Sequence, residues 1–275
     1  MSEKKAEMSK AMKEKLAPKN FTKKPIEGTK HAIMVSSAKG GVGKSTFAIN
    51  LAFALKNLGK KVGFLDADIH GPSLPKLIAV NEKPKSKDDK FLLPIEKYGV
   101  QFISMGFLVE ETTPMIWRGP MVISAIKTLV QKVLWSDLDF IIIDMPPGTG
   151  DTQLTFAQEV KVDGAVIVST PQDLALADVK RGIQMFDKTK VKVIGLVDNM
   201  SFFKGEDGKI YNIFGEGGVE KTAKEFNKKF LGKIPISIEL RKSSDLGLPL
   251  TYKDPDNETS KIFLEIAAKI KQDFQ

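Results

Sequence analysis

Residues His31 to Leu55 read HAIMVSSAKGGVGKSTFAINLAFAL, and three successive signals within them decide the fold. His31 to Ser36 form a short apolar run of strand length. Lys39 to Thr46, KGGVGKST, place three glycines in a turn. Phe47, Ala48, Leu51, Ala52 and Leu55 then fall on one helical face, which predicts a helix opening at the end of the turn. A glycine turn between a buried strand and a helix N-terminus points successive backbone N–H groups at an anion, and the helix dipole adds to the field. Gly40, Gly41 and Gly43 leave space where a Cβ would keep a phosphate away. Lys44 is expected on the β- and γ-phosphates, the Ser45 hydroxyl in the ligand set of Mg²⁺, and Thr46 on the α-phosphate. The turn from Lys39 through Val42 to Thr46 is thus expected to wrap the phosphates of ATP.

Outward from this stretch, short apolar runs alternate with helical patterns. The runs are Lys61 to Asp66, Val100 to Met105, Phe140 to Asp144, Ala165 to Thr170, Val193 to Asp198 and a weaker one at Lys233 to Ile236. With His31 to Ser36 they predict about seven strands in a doubly wound, mostly parallel sheet with helices on both faces, an α/β fold. Asn81 to Lys90 is polar and reads as a surface loop. Thr259 to Phe274 carries Ile262, Phe263, Ile266, Ala267, Ile270 and Phe274 along one stripe, which predicts an amphipathic helix packed on the core.

The chain has 275 residues, 42% of them hydrophobic, enough for one large α/β domain. The expected organisation is a flexible lysine-rich arm over residues 1 to 30 and one nucleotide-binding domain over 31 to 275. The arm holds nine lysines against four glutamates, a large share of the net charge of +8. It reads as a solubilising tail, or as an electrostatic docking arm for an acidic partner or nucleic acid. No cysteine is present, which excludes disulfides, cysteine nucleophiles and thiolate-ligated metals within the chain. No apolar stretch reaches the length of a membrane span, and the N-terminus MSEKKAEMSK is charged where a signal peptide needs an apolar core. The expected location is cytoplasmic.

Two carboxylate sets stand at predicted strand ends, the edge where α/β sheets bind ligands. One is Asp66-Ala67-Asp68; the other opens DMPPGTGD, Asp144 to Asp151. Asp144, after four apolar strand residues, is expected to orient Mg²⁺ through a water. Asp68 is expected to position or activate the attacking water, with Asp66 supporting the metal shell. Gly148, Gly150 and Asp151 form a turn suited to sensing the γ-phosphate.

The general P-loop pattern wants glycine at the position of Ala38 and has no counterpart of Lys39. A KGGxGK[ST] loop resembles the deviant Walker A P-loop NTPases (SIMIBI type) that include MinD, ParA, ArsA and the Mrp proteins. The resemblance implies that Lys39 acts in trans across a nucleotide-sandwich homodimer, much as an arginine finger does. DADIHGPSLP (Asp66 to Pro75), MIWRGPM (Met115 to Met121), DMPPGTGD, STPQDLALADVKRG (Ser169 to Gly182), DNMSFF (Asp198 to Phe203) and FGEGG (Phe214 to Gly218) are similar to the Mrp branch over about residues 31 to 270. That branch implies a slow ATPase that delivers iron–sulfur clusters to apoproteins, with an iron–sulfur assembly or client protein as partner. It also implies that Asn199 bonds the adenine and that the segment after Ile234-Pro235 closes over the base. The sequence departs from the branch at Lys204 to Gly208, where cluster carriers place Cys-x-x-Cys and this chain reads as a plain hairpin turn. His31 and His70 are poor substitutes for thiolate ligands, so no cluster is expected on this chain's own cysteines. Two alternatives stand beside the ATP-gated scaffold: a ParA- or MinD-like switch that binds DNA, membrane or a partner protein, and a nucleotide-dependent binding module with negligible turnover.

Overall fold

The computed structural model describes residues 23–68, 71–80, 82–108 and 119–274. A central sheet of eight strands runs in the order β12-β9-β8-β1-β7-β2-β6-β5. Its strands are β1 (Thr29–Ser36), β2 (Val62–Asp66), β5 (Ile95–Lys97), β6 (Val100–Ser104), β7 (Leu138–Asp144), β8 (Gly164–Ser169), β9 (Val193–Asp198) and β12 (Phe230–Lys233). All pairings in it are parallel except β5 with β6. Two small hairpins stand apart, β3 (Ser86–Lys87) with β4 (Phe91–Leu92) and β10 (Phe203–Lys204) with β11 (Ile210–Tyr211). The second carries the stretch Lys204 to Gly208 at its turn, as the sequence predicts.

Side chains alternate across the sheet into two apolar layers. Ile33 and Val35 of β1, with Phe140 and Ile142 of β7, face one layer; Met34 of β1, with Ile141 and Ile143 of β7, faces the other. The first layer is closed by α1 (Lys44–Asn57) and α9 (Glu258–Gln272), where Phe47 and Phe263 lie 5.9 Å apart. The second is closed by α3 (Gly119–Gln131), α4 (Asp151–Glu159), α5 (Asp173–Lys188) and α6 (Gly218–Glu225). Burial on both faces explains why the strands read as apolar runs rather than alternating ones.

The sheet has one strand more than the sequence predicts. β5 is a three-residue antiparallel edge strand, too short and polar to register as an apolar run. The last parallel strand lies at Phe230–Lys233, upstream of the expected Lys233 to Ile236. Ile234 to Ile236 instead hydrogen-bond the last residue of β9 and the loop after it: Ile234 N to Asp198 O at 2.8 Å and Ile236 N to Phe202 O at 2.7 Å. The remaining helices are short: α2 (Leu74–Leu77), α7 (Ile238–Asp245) and α8 (Leu250–Lys253). Among the described residues no helix is long and apolar enough to cross a membrane. Part of the MIWRGPM segment, Trp117 and Arg118 included, and His70 lie outside the described residues.

Candidate nucleotide site

The chain leaves β1 toward one side of the sheet, through β2 and β6, and returns at β7 to build β8, β9 and β12 on the other side. Such a reversal opens a crevice at the C-terminal strand ends. Ser36, Asp66, Asp144 and Asp198 close their strands along this rim, and Asp66 is the direct register partner of Asp144.

The glycine turn lies over the crevice. Gly41 and Gly43 take φ of 82° and 80°, a left-handed backbone suited to glycine, and Gly43 caps α1 without a side-chain bond. The first backbone N–H groups of α1 therefore remain available to an anion. Lys44 is buried and turned inward: its Nζ donates to Asp144 Oδ1 at 2.5 Å and to Ser45 Oγ at 3.1 Å. Asp144 Oδ2 is fully buried and has no hydrogen-bond partner. Burial pushes the Asp144 carboxyl up, opposed by the Lys44 ammonium and the Ser45 hydroxyl. A hydroxyl and an unpaired carboxylate oxygen side by side form a hard oxygen donor set, which fits Mg²⁺. No group of three or more metal-ligating side chains exists among the described residues, so a cation here would draw its other ligands from phosphate and water.

Asp66 has a different local task. Its Oδ1 accepts from Asp68 N at 3.1 Å, and its Oδ2 accepts from Ser73 N, Leu74 N and Ser104 Oγ at 3.0–3.1 Å. It thereby fastens both ends of the segment that carries Asp68. Burial and the neighbouring Asp144 push its carboxyl up to about 7. Asp68 is buried at the start of that segment and accepts from Gly71 N at 3.2 Å.

On the other flank, Asn199 Nδ2 donates to Val42 O at 2.8 Å, and Asn199 N donates to Ser169 O at 2.7 Å. Half-buried Pro235 follows Ile234, whose carbonyl accepts from Ser201 N at 2.9 Å, so the Pro235 segment is anchored against the Asn199 loop. Lys39 lies half-buried at the outer lip of the turn; its carbonyl accepts from Ser37 Oγ at 2.9 Å. Gly148 takes φ of 94° and its N–H donates to Ser37 O at 2.9 Å, tying the turn after β7 to the base of the glycine loop. Gly150 caps α4, which begins at Asp151.

Three contributors escape the sequence reading. Gln153 of α4 is buried, with Oε1 accepting from Ser36 Oγ at 3.0 Å and Nε2 donating to Pro146 O at 2.5 Å. It joins the end of β1 to the turn after Asp144. Its signal is positional: Gln153 shares a helical stripe with buried Phe156, Ala157 and Val160, a polar residue on an apolar face. Asn50 of α1 binds Thr46 O through Nδ2 at 2.8 Å and receives Thr251 N on Oδ1 at 3.0 Å. Those two, Asn50 and Thr251, pin the phosphate-loop helix to α8.

The family described as ParA, NUBPL iron-transfer P-loop NTPase, matches residues 28–271. The chain is 48% identical over 255 residues to the iron-sulfur cluster carrier protein of Aquifex aeolicus, covering 92% of this chain and 70% of that protein. It is 47% identical over 250 residues to the iron-sulfur cluster transfer protein NUBPL of Mus musculus, covering 90% and 78%. Among solved structures, a nucleotide-binding protein from Archaeoglobus fulgidus in complex with ADP aligns with a TM-score of 0.74 at 37% identity, over 86% of this chain and 93% of that one. The cell division ATPase MinD of Pyrococcus furiosus aligns with a TM-score of 0.65 at 21% identity, over 88% and 98%, a likeness of fold.

Proposed function

We propose, for a chain that belongs to the ParA/NUBPL iron-transfer family of P-loop NTPases, that it binds ATP, hydrolyses it slowly as a homodimer, and serves iron–sulfur cluster delivery as an ATP-gated scaffold whose cluster ligands come from a partner. The observation that carries the ATPase reading is the buried contact of Lys44 with Asp144 beneath the glycine turn.

ATP entering the turn competes for Lys44. The β- and γ-phosphates draw the ammonium off Asp144, and the backbone N–H groups from Gly40 to Thr46, with Val42 and Gly43 between them, wrap the phosphate chain. Once the ammonium has left, the Ser45 hydroxyl and, through a water, the Asp144 carboxylate would hold a cation here. Mg²⁺, when bound, neutralises charge that builds on the phosphates. Asp66 supports this shell from behind, keeping Asp68 over the crevice, and Asp68 positions the attacking water. Asn199 keeps its Nδ2 on Val42 and offers its amide oxygen to the adenine amino group, with Pro235 against the base. Lys39 reaches the phosphates of the partner subunit, and the Gly148, Gly150 and Asp151 turn reports the γ-phosphate to α4.

The missing cysteines set the limit of the family function. Iron–sulfur clusters need soft thiolate ligands, and the chain has none to give. A nucleotide-driven change of partner affinity is then the chemistry left to this chain in cluster delivery. Isothermal titration of ATP with Mg²⁺ against parent and Lys44→Ala proteins tests the core of the reading: the parent binds, the variant loses most affinity, and equal affinity in both would sink it.

A further inference from the structure

The end of the sheet opposite the nucleotide rim gathers lysines from three segments. Lys24 bridges to Val160, and its carbonyl accepts from Lys161 N at 2.8 Å. Lys23 Nζ donates to Thr189 O at 2.8 Å, and burial together with the adjacent Lys190 holds its ammonium below the usual range. Lys192 O accepts from Ala165 N at 2.8 Å, which sets Lys192 beside the start of β8. Lys23, Lys24, Lys161, Lys188, Lys190 and Lys192 thus share one face at the N-terminal ends of β1, β8 and β9, and all but Lys23 are exposed.

Few carboxylates answer them. Asp187 and Glu159, at the border, are paired with Lys228 and Lys127. Asp163 accepts from the Ala32 N–H at 2.8 Å and lies 3.9 Å from His31 Nδ1. Glu27 is the other acidic group in these segments. Over 23–30, 159–163 and 187–192 seven lysines stand against four carboxylates, an excess of three positive charges. Residues 1 to 22, which join the face at Lys23, add six lysines against three glutamates. Six of the chain's eight net positive charges therefore belong to these segments and the residues that precede them in sequence.

The chemistry of the face discriminates among anionic partners. Cores of protein interfaces are depleted in lysine and centred on aromatic or apolar side chains. Surface binding to a bilayer combines basic groups with apolar ones that enter it. Neither apolar element is here: the exposed large hydrophobics of the described residues lie elsewhere, none of them in 23–30, 159–163 or 187–192. Lysine point charges without aromatic stacking groups suit the phosphates of a nucleic-acid backbone, contacted without reading bases. We infer that this lysine face is a sequence-independent docking surface for the phosphate backbone of duplex nucleic acid, at the end of the sheet remote from ATP.

Fluorescence anisotropy with a labelled mixed-sequence DNA duplex tests the inference on the full-length protein. Binding is expected at low salt, with a log–log salt slope of about −3 to −5, since each neutralised phosphate contributes about −0.9. Lys161→Glu/Lys190→Glu/Lys192→Glu should weaken it at least tenfold while leaving ATP affinity unchanged. Lys83→Glu/Lys85→Glu/Lys90→Glu, the same charge change on an exposed loop elsewhere, should weaken it far less. If the glutamate variant fails the ATP-binding check on folding, the milder Lys190→Gln/Lys192→Gln replaces it, with a threefold loss expected. The inference is overturned by absence of duplex binding at low salt, by equal loss in both triple variants, or by binding to phosphatidylserine vesicles without binding to the duplex.

Discussion

The side-chain amide of Asn199 sits against the backbone of Gly43: a Cβ built on Gly43 would lie 2.3 Å from Asn199 Nδ2. The same nitrogen donates to Val42 O. One amide thus braces the phosphate turn and forbids any side chain at its cap.

Gly43→Ala should therefore cost more than a φ of 80° alone explains, because the methyl group displaces the brace as well. The expected outcome is loss of ATP binding of at least a hundredfold by calorimetry. Asn199→Ala keeps the glycine and loses only the brace and its adenine contact, so a drop of about tenfold is expected, with stability lower by about 1 kcal/mol. A Gly43→Ala protein that binds like the parent would show that the brace is dispensable.

Lys44 and Lys39 should separate sharply by thermal or urea unfolding. Removing Lys44 leaves Asp144 buried and uncompensated, and breaking such a pair costs about 3–5 kcal/mol before the carboxyl protonates to relieve it. Lys39→Ala leaves the site's buried charges paired, so its stability should stay within about 0.5 kcal/mol of the parent. It should also bind ATP normally yet neither turn it over nor dimerise with a non-hydrolysable analogue, as light scattering would read.

Gln153→Leu preserves shape and removes both bonds that join Ser36 to Pro146. If that tie carries the state of the Gly148 turn to the phosphate loop, kcat falls about tenfold while ATP affinity changes less than threefold. Equal losses in both would mark Gln153 as merely structural.

Asp198 ends β9 fully buried, with Oδ2 accepting from Ser201 and Oδ1 unpaired, and burial pushes its carboxyl up to about 6. A raised carboxyl favours the protonated folded state. Its stabilising contribution is whole below the ordinary carboxylate range near 4 and is lost as pH rises through about 6. Asp198→Asn should erase that loss, gaining on the order of 2–3 kcal/mol relative to the parent at pH 7.5 and little at pH 4. Unfolding curves at the two pH values check it, and a gain that does not depend on pH would refute the assignment.

Anaerobic treatment with iron and sulfide should leave this chain without a stoichiometric chromophore while its ATPase persists. Replacing Lys204 and Asp207 by cysteine places thiols on the β10–β11 hairpin. A clean cluster on the parent protein is the result that would return ligand duty to the chain itself.

Local chemistry decides which of these features can be read in sequence. The glycine turn, Lys44 and Asp144 are legible because each depends on neighbours within a few residues: strand, turn, helix, or four apolar residues before an aspartate. The Lys204 to Gly208 hairpin is legible for the same reason. Gln153, and the binding of Asn50 to Thr251, depend on residues distant in sequence, and a polar side chain on an apolar stripe shows only that some partner exists. Asp66 reads in sequence as part of a metal shell; its three bonds to the following segment, from Asp68, Ser73 and Leu74, and the one from Ser104 of β6 become visible only in the fold and add a holding task to that expectation. β12 slips from its expected place because the apolar run Ile234 to Ile236 bonds the Asn199 loop, Ser201 and Phe202 included, rather than continuing the sheet.

The bond from Thr251 N to Asn50 spans 201 residues, and α9 completes the layer over α1. During synthesis, the helix that begins at Lys44 therefore emerges long before the groups that hold it. A nascent chain halted ahead of Thr251 exposes Phe47 and Phe53, and its phosphate turn stands on an unanchored helix. Emergence of Thr251 and α9, rather than completion of the glycine motif, marks the moment at which ATP first finds a finished site, and a chaperone for apolar segments has its longest opportunity on α1.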